Sequence, residues 1–168
     1  MRVLVVYASK RGGTAGIAEG IRDVLVERDL DAEAVAVDDA TSLDGYDAVI
    51  VGGALYAMRW RRSARRFVKR NADALARMRV WFFSSGPLDT SASEREIPPV
   101  SQVRSLMERV HACGHATFGG RLAPDAKGFP AGAMAKKNAG DWRDAEHIRR
   151  WANEIADSLT STIPATSE

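Results

Sequence analysis

At 168 residues, with 45% hydrophobic and 27% charged residues, the chain has the length of one domain and enough apolar content to bury a core. A net charge of +2 gives no overall bias toward a polyanion, no apolar run reaches the roughly 18 residues of a spanning helix, and the single cysteine, Cys113, excludes an internal disulfide. Met1-Arg2 leads straight into a strand pattern and Lys10-Arg11 interrupts any signal-peptide core, so a reducing cytoplasm is the expected compartment.

In chain order, strands are predicted at Val3–Tyr7, Glu33–Val37, Ala48–Gly52, Val80–Ser84 and Ala112–Phe118. Helices are predicted between and after them at Thr14–Arg28, Ser63–Arg77, Val100–Val110 and Asp144–Leu159. Ala48-Val49-Ile50-Val51 and Val80-Trp81-Phe82-Phe83 are unbroken apolar runs, the pattern of strands covered on both faces. Strands alternating with helices imply right-handed βαβ units and an α/β fold with a parallel sheet. One domain is expected over residues 1–160, with residues 161–168 as a tail. Two long stretches rich in Gly, Pro, Ser and Ala, Ser85–Pro99 and Gly120–Asp141, follow strands directly, where an open α/β sheet binds ligands.

The first strand ends in Ser9-Lys10-Arg11-Gly12-Gly13-Thr14, and a helix pattern starts at once, with Thr14 the candidate N-cap. Backbone N–H groups and the helix dipole at such a turn favour an anion, and Lys10 and Arg11 add positive charge. The absence of G-x-G-x-x-G argues against a dinucleotide site, so Asp38 and Asp39 are read as loop acids. A phosphoacceptor domain needs acids after strands one and three, where Ala8-Ser9 and Gly52-Gly53 stand instead. There is no G-x-S-x-G elbow. His111, His115 and His147 lack metal-ligand spacing with Cys113, which is expected to be a small apolar residue of a buried strand.

The loop Ser9–Thr14 resembles the phosphate loop of the flavodoxin family, with Ser9, Gly12 and Thr14 matching and Arg11 in place of a hydroxyl residue. Two further loops match: Gly52-Gly53-Ala54-Leu55-Tyr56-Ala57-Met58, with Tyr56 where a ring-stacking Trp is often found, and Ser84-Ser85-Gly86-Pro87-Leu88. The resemblance implies a doubly wound five-stranded parallel sheet of order 2-1-3-4-5 with helices on both faces. It also implies FMN as cofactor, held by Ser9, Lys10, Arg11, Gly12, Gly13 and Thr14 at the phosphate. The ring would be contacted by Ala54, Leu55, Tyr56, Ala57 and Met58, and by Ser84, Ser85, Gly86, Pro87 and Leu88. Trp60 is a second candidate ring cover, the alternative being a surface aromatic among arginines.

Within that superfamily the chain is similar to the menaquinone-dependent protoporphyrinogen oxidase group. The similarity lies in Asp47-Ala48-Val49-Ile50-Val51-Gly52-Gly53, Phe67-Val68-Lys69-Arg70, Phe118-Gly119-Gly120-Arg121-Leu122 and Asp141-Trp142. It implies an FMN-dependent oxidoreductase; the alternatives are an electron carrier without its own substrate and a flavin-free interaction domain. One departure is Gly120–Gly140, shorter than the oxidase's insertion and with Phe129 its only aromatic, which weakens the expectation of quinone and membrane contact. The cations of Arg59–Arg70 suit an anionic substrate or an acidic redox partner, whereas no recognition motif supports nucleic acid. A homodimer is compatible with this fold class.

Overall fold

The structure is a computed structural model and describes residues 1–10, 12–122 and 140–161. Five parallel strands form the sheet: β1 (Arg2–Ala8), β2 (Asp31–Ala36), β3 (Ala48–Tyr56), β5 (Arg79–Ser85) and β6 (Gly114–Phe118), in the order β2-β1-β3-β5-β6. Apart from the short strands numbered between them, this is the expected order 2-1-3-4-5. A two-residue strand, β4 (Arg59–Trp60), pairs antiparallel with the end of β3, and a ribbon of β7 (Arg121–Leu122) and β8 (Gly140–Asp141) stands off the sheet.

The helices are α1 (Gly13–Glu27), α2 (Arg62–Arg70), α3 (Ala72–Leu75), α4 (Ser91–Glu94), α5 (Ser101–Val110) and α6 (Ala145–Thr160). Alternation along the strands divides the core in two. Val3, Val5, Ile50 and Phe83 pack beneath Ile17, Ile21 and Leu25 of α1 and Trp151 and Ile155 of α6. Leu4, Val6, Val51 and Phe82 pack beneath Phe67 and Val68 of α2 and Val103 and Leu106 of α5.

Several boundaries differ from the sequence expectation for local reasons. The helix expected over Ser63–Arg77 breaks at Asn71, whose Nδ2 and backbone N–H both donate to the Phe67 carbonyl, at 2.8 and 3.1 Å. Helix α1 starts at Gly13 with Gly12 as N-cap at φ +81°, so Thr14 lies inside the first turn and is not the cap. Asp144 does cap α6, accepting from the Glu146 and His147 N–H groups at 3.0 and 3.2 Å. The last sheet strand starts at Gly114, which leaves Cys113 exposed in the preceding turn instead of buried. Within the stretch expected to be loop over Ser85–Pro99 lies the one-turn α4. Arg11, residues 123–139 and the tail 162–168 lie outside the described residues.

Candidate functional site

Strand register brings three loops to one edge of the sheet. Ala8 of β1 is level with Gly53 of β3 and Gly53 with Ser84 of β5, while Ala54 is level with Ser85 and Ser85 with Phe118 of β6. The strand order reverses between β1 and β3, the place where an open α/β sheet leaves a crevice at its carboxyl edge.

The first loop leaves the first N–H groups of α1 without a side-chain cap. Ser9 Oγ accepts the Gly12 N–H at 3.0 Å and folds the turn back on itself. Gly12 takes the left-handed conformation that glycine adopts without strain, and its carbonyl accepts from Gly16 N–H at 3.0 Å as the first helical bond. The N–H groups of Gly13, Thr14 and Ala15 therefore lie ahead of that bond. No side chain caps them and no acid stands in the first turn of α1. Thr14 is buried, and its hydroxyl shares a 2.8 Å hydrogen bond with Ser85 Oγ, which ties this loop to the end of β5.

The second loop is a tight hairpin. Ala54, Leu55 and Tyr56 continue β3 past the predicted end, and Tyr56 faces Arg59 across a two-residue turn at Ala57-Met58. Both turn residues have positive φ, +47° and +62°, as a type I′ turn requires, although neither is glycine or asparagine. Met58 is 70% exposed and Tyr56 partly exposed. Trp60 is no ring cover. It is buried against Phe82 with ring centroids 4.9 Å apart, and its indole N–H donates to Ser84 Oγ at 2.9 Å.

The third loop leaves β5 with its hydroxyls turned inward. Ser84 Oγ also lies 3.0 Å from His115 Nε2, and burial alone pushes His115 down to about 4, so it is neutral at pH 7. Beyond Ser85, the Gly86 N–H donates to the Phe118 carbonyl at 3.2 Å and the Pro87 carbonyl accepts from Gly120 N–H at 2.8 Å. Leu55 crowds Gly86, where a Cβ would come within 3.1 Å of its Cδ1, so the second and third loops touch. Of the predicted ring contacts in this loop, Ser84 and Ser85 thus point into the protein, while Gly86 and Pro87 are pinned to the corner after β6.

The ribbon adds residues that were not among the expected site residues. A Cβ on Gly13 would sit 3.3 Å from Arg121 Cβ, so β7 lies directly against the start of α1. A Cβ on Gly16 would overlap Arg143 Nη1 at 2.2 Å. Arg143 makes a forked contact with Asp141, Nε at 2.9 Å and Nη2 at 2.6 Å, and holds that carboxyl below the usual carboxylate range. The pairing of Arg121 with Asp141 and the Trp142 N–H to Gly120 carbonyl bond hold the two strands together beside the first loop. Among the described residues no cluster of His, Cys, Asp and Glu could hold a metal.

The segments that suggested the oxidase group have structural work. The Asp47 carboxylate accepts the Arg2 backbone N–H at 2.6 Å. A Cβ on Gly52 would meet Phe83 at 1.9 Å and one on Gly53 would meet Trp60 at 2.8 Å. Phe67 and Val68 are core residues, and the Trp142 N–H donates to the Gly120 carbonyl at 2.9 Å.

Residues 4–131 match the family model described as "Flavodoxin domain". Among solved structures the chain is similar to a flavodoxin from the domain Archaea, at 16% identity and a TM-score of 0.66, covering 96% of this chain and 100% of that one. It is also similar to oxidised flavodoxin 1 of Bacillus cereus, at 16% identity, TM-score 0.63 and 95% and 100% coverage. For flavodoxin 2 of the same organism the values are 21%, 0.62, 96% and 100%. No curated protein matches the sequence. No described helix is long and apolar enough to cross a membrane. With more than half its length matched, the chain belongs to the flavodoxin domain family, whose cofactor, FMN, is the phosphate-bearing group expected from the sequence.

Proposed function

We propose that the chain is an FMN-binding electron-transfer protein that holds its cofactor at the carboxyl edge of the sheet. The observation that carries this reading is the uncapped start of α1, at the point where the strand order reverses, with two further loops converging beside it. Gly13, Thr14 and Ala15 would donate backbone N–H groups to the phosphate, with Ser9 and Thr14 holding the loop in shape. Lys10 and Arg11 add positive charge there. Tyr56 and the turn Ala57-Met58 would border the ring on one side and the segment Gly86–Leu88 on the other. When bound, the isoalloxazine accepts and releases electrons, which the protein itself cannot do. The cations of Arg59–Arg70 beside the site favour the reduced, more negative form and suit an anionic partner or substrate.

The test is uptake of FMN by the purified chain, read as quenching of flavin fluorescence and a rise in Tm. At a hundred times Kd the ligand adds about 2.7 kcal/mol. Riboflavin, which lacks the phosphate, should bind far more weakly. A Tm unmoved by FMN overturns the proposal, and equal affinity for riboflavin overturns the role of Ser9–Thr14. The narrower oxidase reading is supported by sequence resemblance alone. Turnover of protoporphyrinogen with a quinone acceptor above the flavin-free rate would establish it, and a rate equal to that control would reject it.

A further inference from the structure

Between Ala48 and Ala72 the sequence holds six arginines, one lysine and no carboxylate. All seven cations fall between Arg59 and Arg70, so the other 17 Lys and Arg of the chain face 22 Asp and Glu, and the rest of the molecule is net acidic. Every ion pair among the described residues uses an arginine elsewhere: Arg2, Arg22, Arg28, Arg143 or Arg149. Among the described residues the fold supplies the basic stretch with no acid, and Arg61 Nη1 and Arg65 Nε are shut off from solvent without an acceptor there. Arg61 stands at the N-cap of α2 and Arg62 at its first position, against the helix dipole. Lys69 and Arg70 in the last turn suit the dipole, but the cations at the start do not, and a negative group supplied from outside gives them a partner.

We propose that the exposed face of α2, with the Tyr56–Arg59 hairpin beside it, is the docking surface for an acidic partner protein. The inference rests on the electron-carrier reading, since that hairpin borders the proposed cofactor. Charge complementarity names the partner's surface, and the side-chain choice sharpens it. Six of the seven cations are arginine, whose planar fork matches carboxylates bidentately. A membrane surface fits poorly, because the apolar side of α2 (Ala64, Phe67 and Val68) is spent in the core and cannot enter a bilayer. Single-stranded nucleic acid fits less well, because Trp60 and Phe67, the aromatics between Arg59 and Arg70, are buried, which leaves Tyr56 alone as a ring on which a base could stack, where a strand needs successive ones. A nine-residue helix spans about 13 Å, a footprint suited to a small, transient redox encounter.

The experiment measures binding of a fluorescent 20-residue polyglutamate to the apo and FMN-treated chain, at low salt and at 150 mM salt. The expected result is binding that weakens steeply with salt and falls at least tenfold in R62E/R66E. It should stay within twofold in R22E/R149E, an equal charge change on α1 and α6. Far-UV circular dichroism and Tm confirm that both variants fold; if R62E/R66E does not, R66Q/R70Q takes its place. Unchanged affinity in the α2 variant, or equal loss in the control, overturns the proposal. So does tenfold tighter binding, at 150 mM salt, of a 20-nucleotide DNA strand or of phosphatidylserine vesicles. If polyglutamate binds through α2 but FMN is not taken up, the docking face stands and the carrier reading falls. If FMN is taken up but charge reversal on α2 changes nothing, the carrier reading stands and the docking face falls.

Discussion

Helices α1 and α6 cover one side of the sheet and α2 and α5 the other, and the two sides treat charge in opposite ways. Between α1 and α6, Arg149 pairs with Glu27, and Arg28 reaches both Asp157 and Asn153, at 2.6 and 2.9 Å. On the other side the arginines of α2 have no ion pair at all among the described residues. Both sides bury comparable apolar cores, so the difference is not one of packing. Exposed ion pairs contribute little to stability, roughly 0–1 kcal/mol each, so the pairing on α1 and α6 mainly keeps that side neutral. A helix left cationic keeps a field that reaches outward.

The largest effect that separates the two sides is steric. Gly52 and Gly53 face opposite cores, against Phe83 and Trp60 respectively. Gly52→Ala is expected to cost about 3 kcal/mol or more, because the ring of Phe83 fills the space completely. Gly53→Ala should cost about 2 kcal/mol, since its contacts are softer. Urea midpoints of the two variants rank them, and a reversed order would show that the Phe83 side yields more easily than the Trp60 side.

Acid should strike the α5 side harder. His115 lies at about 4 in the folded protein, below the ordinary 6.5 of an unfolded histidine. Above pH 6.5 neither state binds this proton. As pH falls from 6.5 toward 4, the unfolded chain takes it up and the folded one does not, so stability is lost across that window, on the order of 3 kcal/mol by pH 4. Urea unfolding as a function of pH should show this loss, and His115→Asn should remove most of it. A variant with the same pH profile as the parent would place the loss elsewhere.

Smaller effects concern the helix starts. Asp144→Ala should cost about 1 kcal/mol by uncapping α6. Arg62→Glu should instead stabilise the protein by about 0.3–1 kcal/mol, because a carboxylate at the start of α2 matches the helix dipole. Arg149→Glu, which puts like charge against Glu27, should lower stability slightly. If thermal melts show Arg62→Glu to be destabilising, α2 holds an acceptor for that side chain and the contrast between the two sides weakens.

Much of this protein was legible from residue order. Buried strands read as unbroken apolar runs, the α/β alternation set the sheet, and the Ser9–Thr14 turn marked the start of α1, because each is a local pattern. Trp60 was not legible. Surrounded by arginines in sequence it reads as a surface residue, yet Gly53 and Gly86 open space around β3, and the hairpin folds the indole onto Phe82 and Ser84. The inward turn of Ser84 and Ser85 was equally hidden, since their partners His115 and Thr14 lie 31 and 71 residues away. The segments that resemble the oxidase group also hold the fold together, so the resemblance by itself names no substrate. Sequence by itself determined the alternation of strands and helices, the glycine-bearing turn into α1 and the excess of cations over residues 59–70, because spacing and charge are properties of the chain. Tertiary structure decided which hydroxyls turn inward, where Trp60 goes and which arginines find an acid, because those depend on partners that only folding brings within a few ångströms.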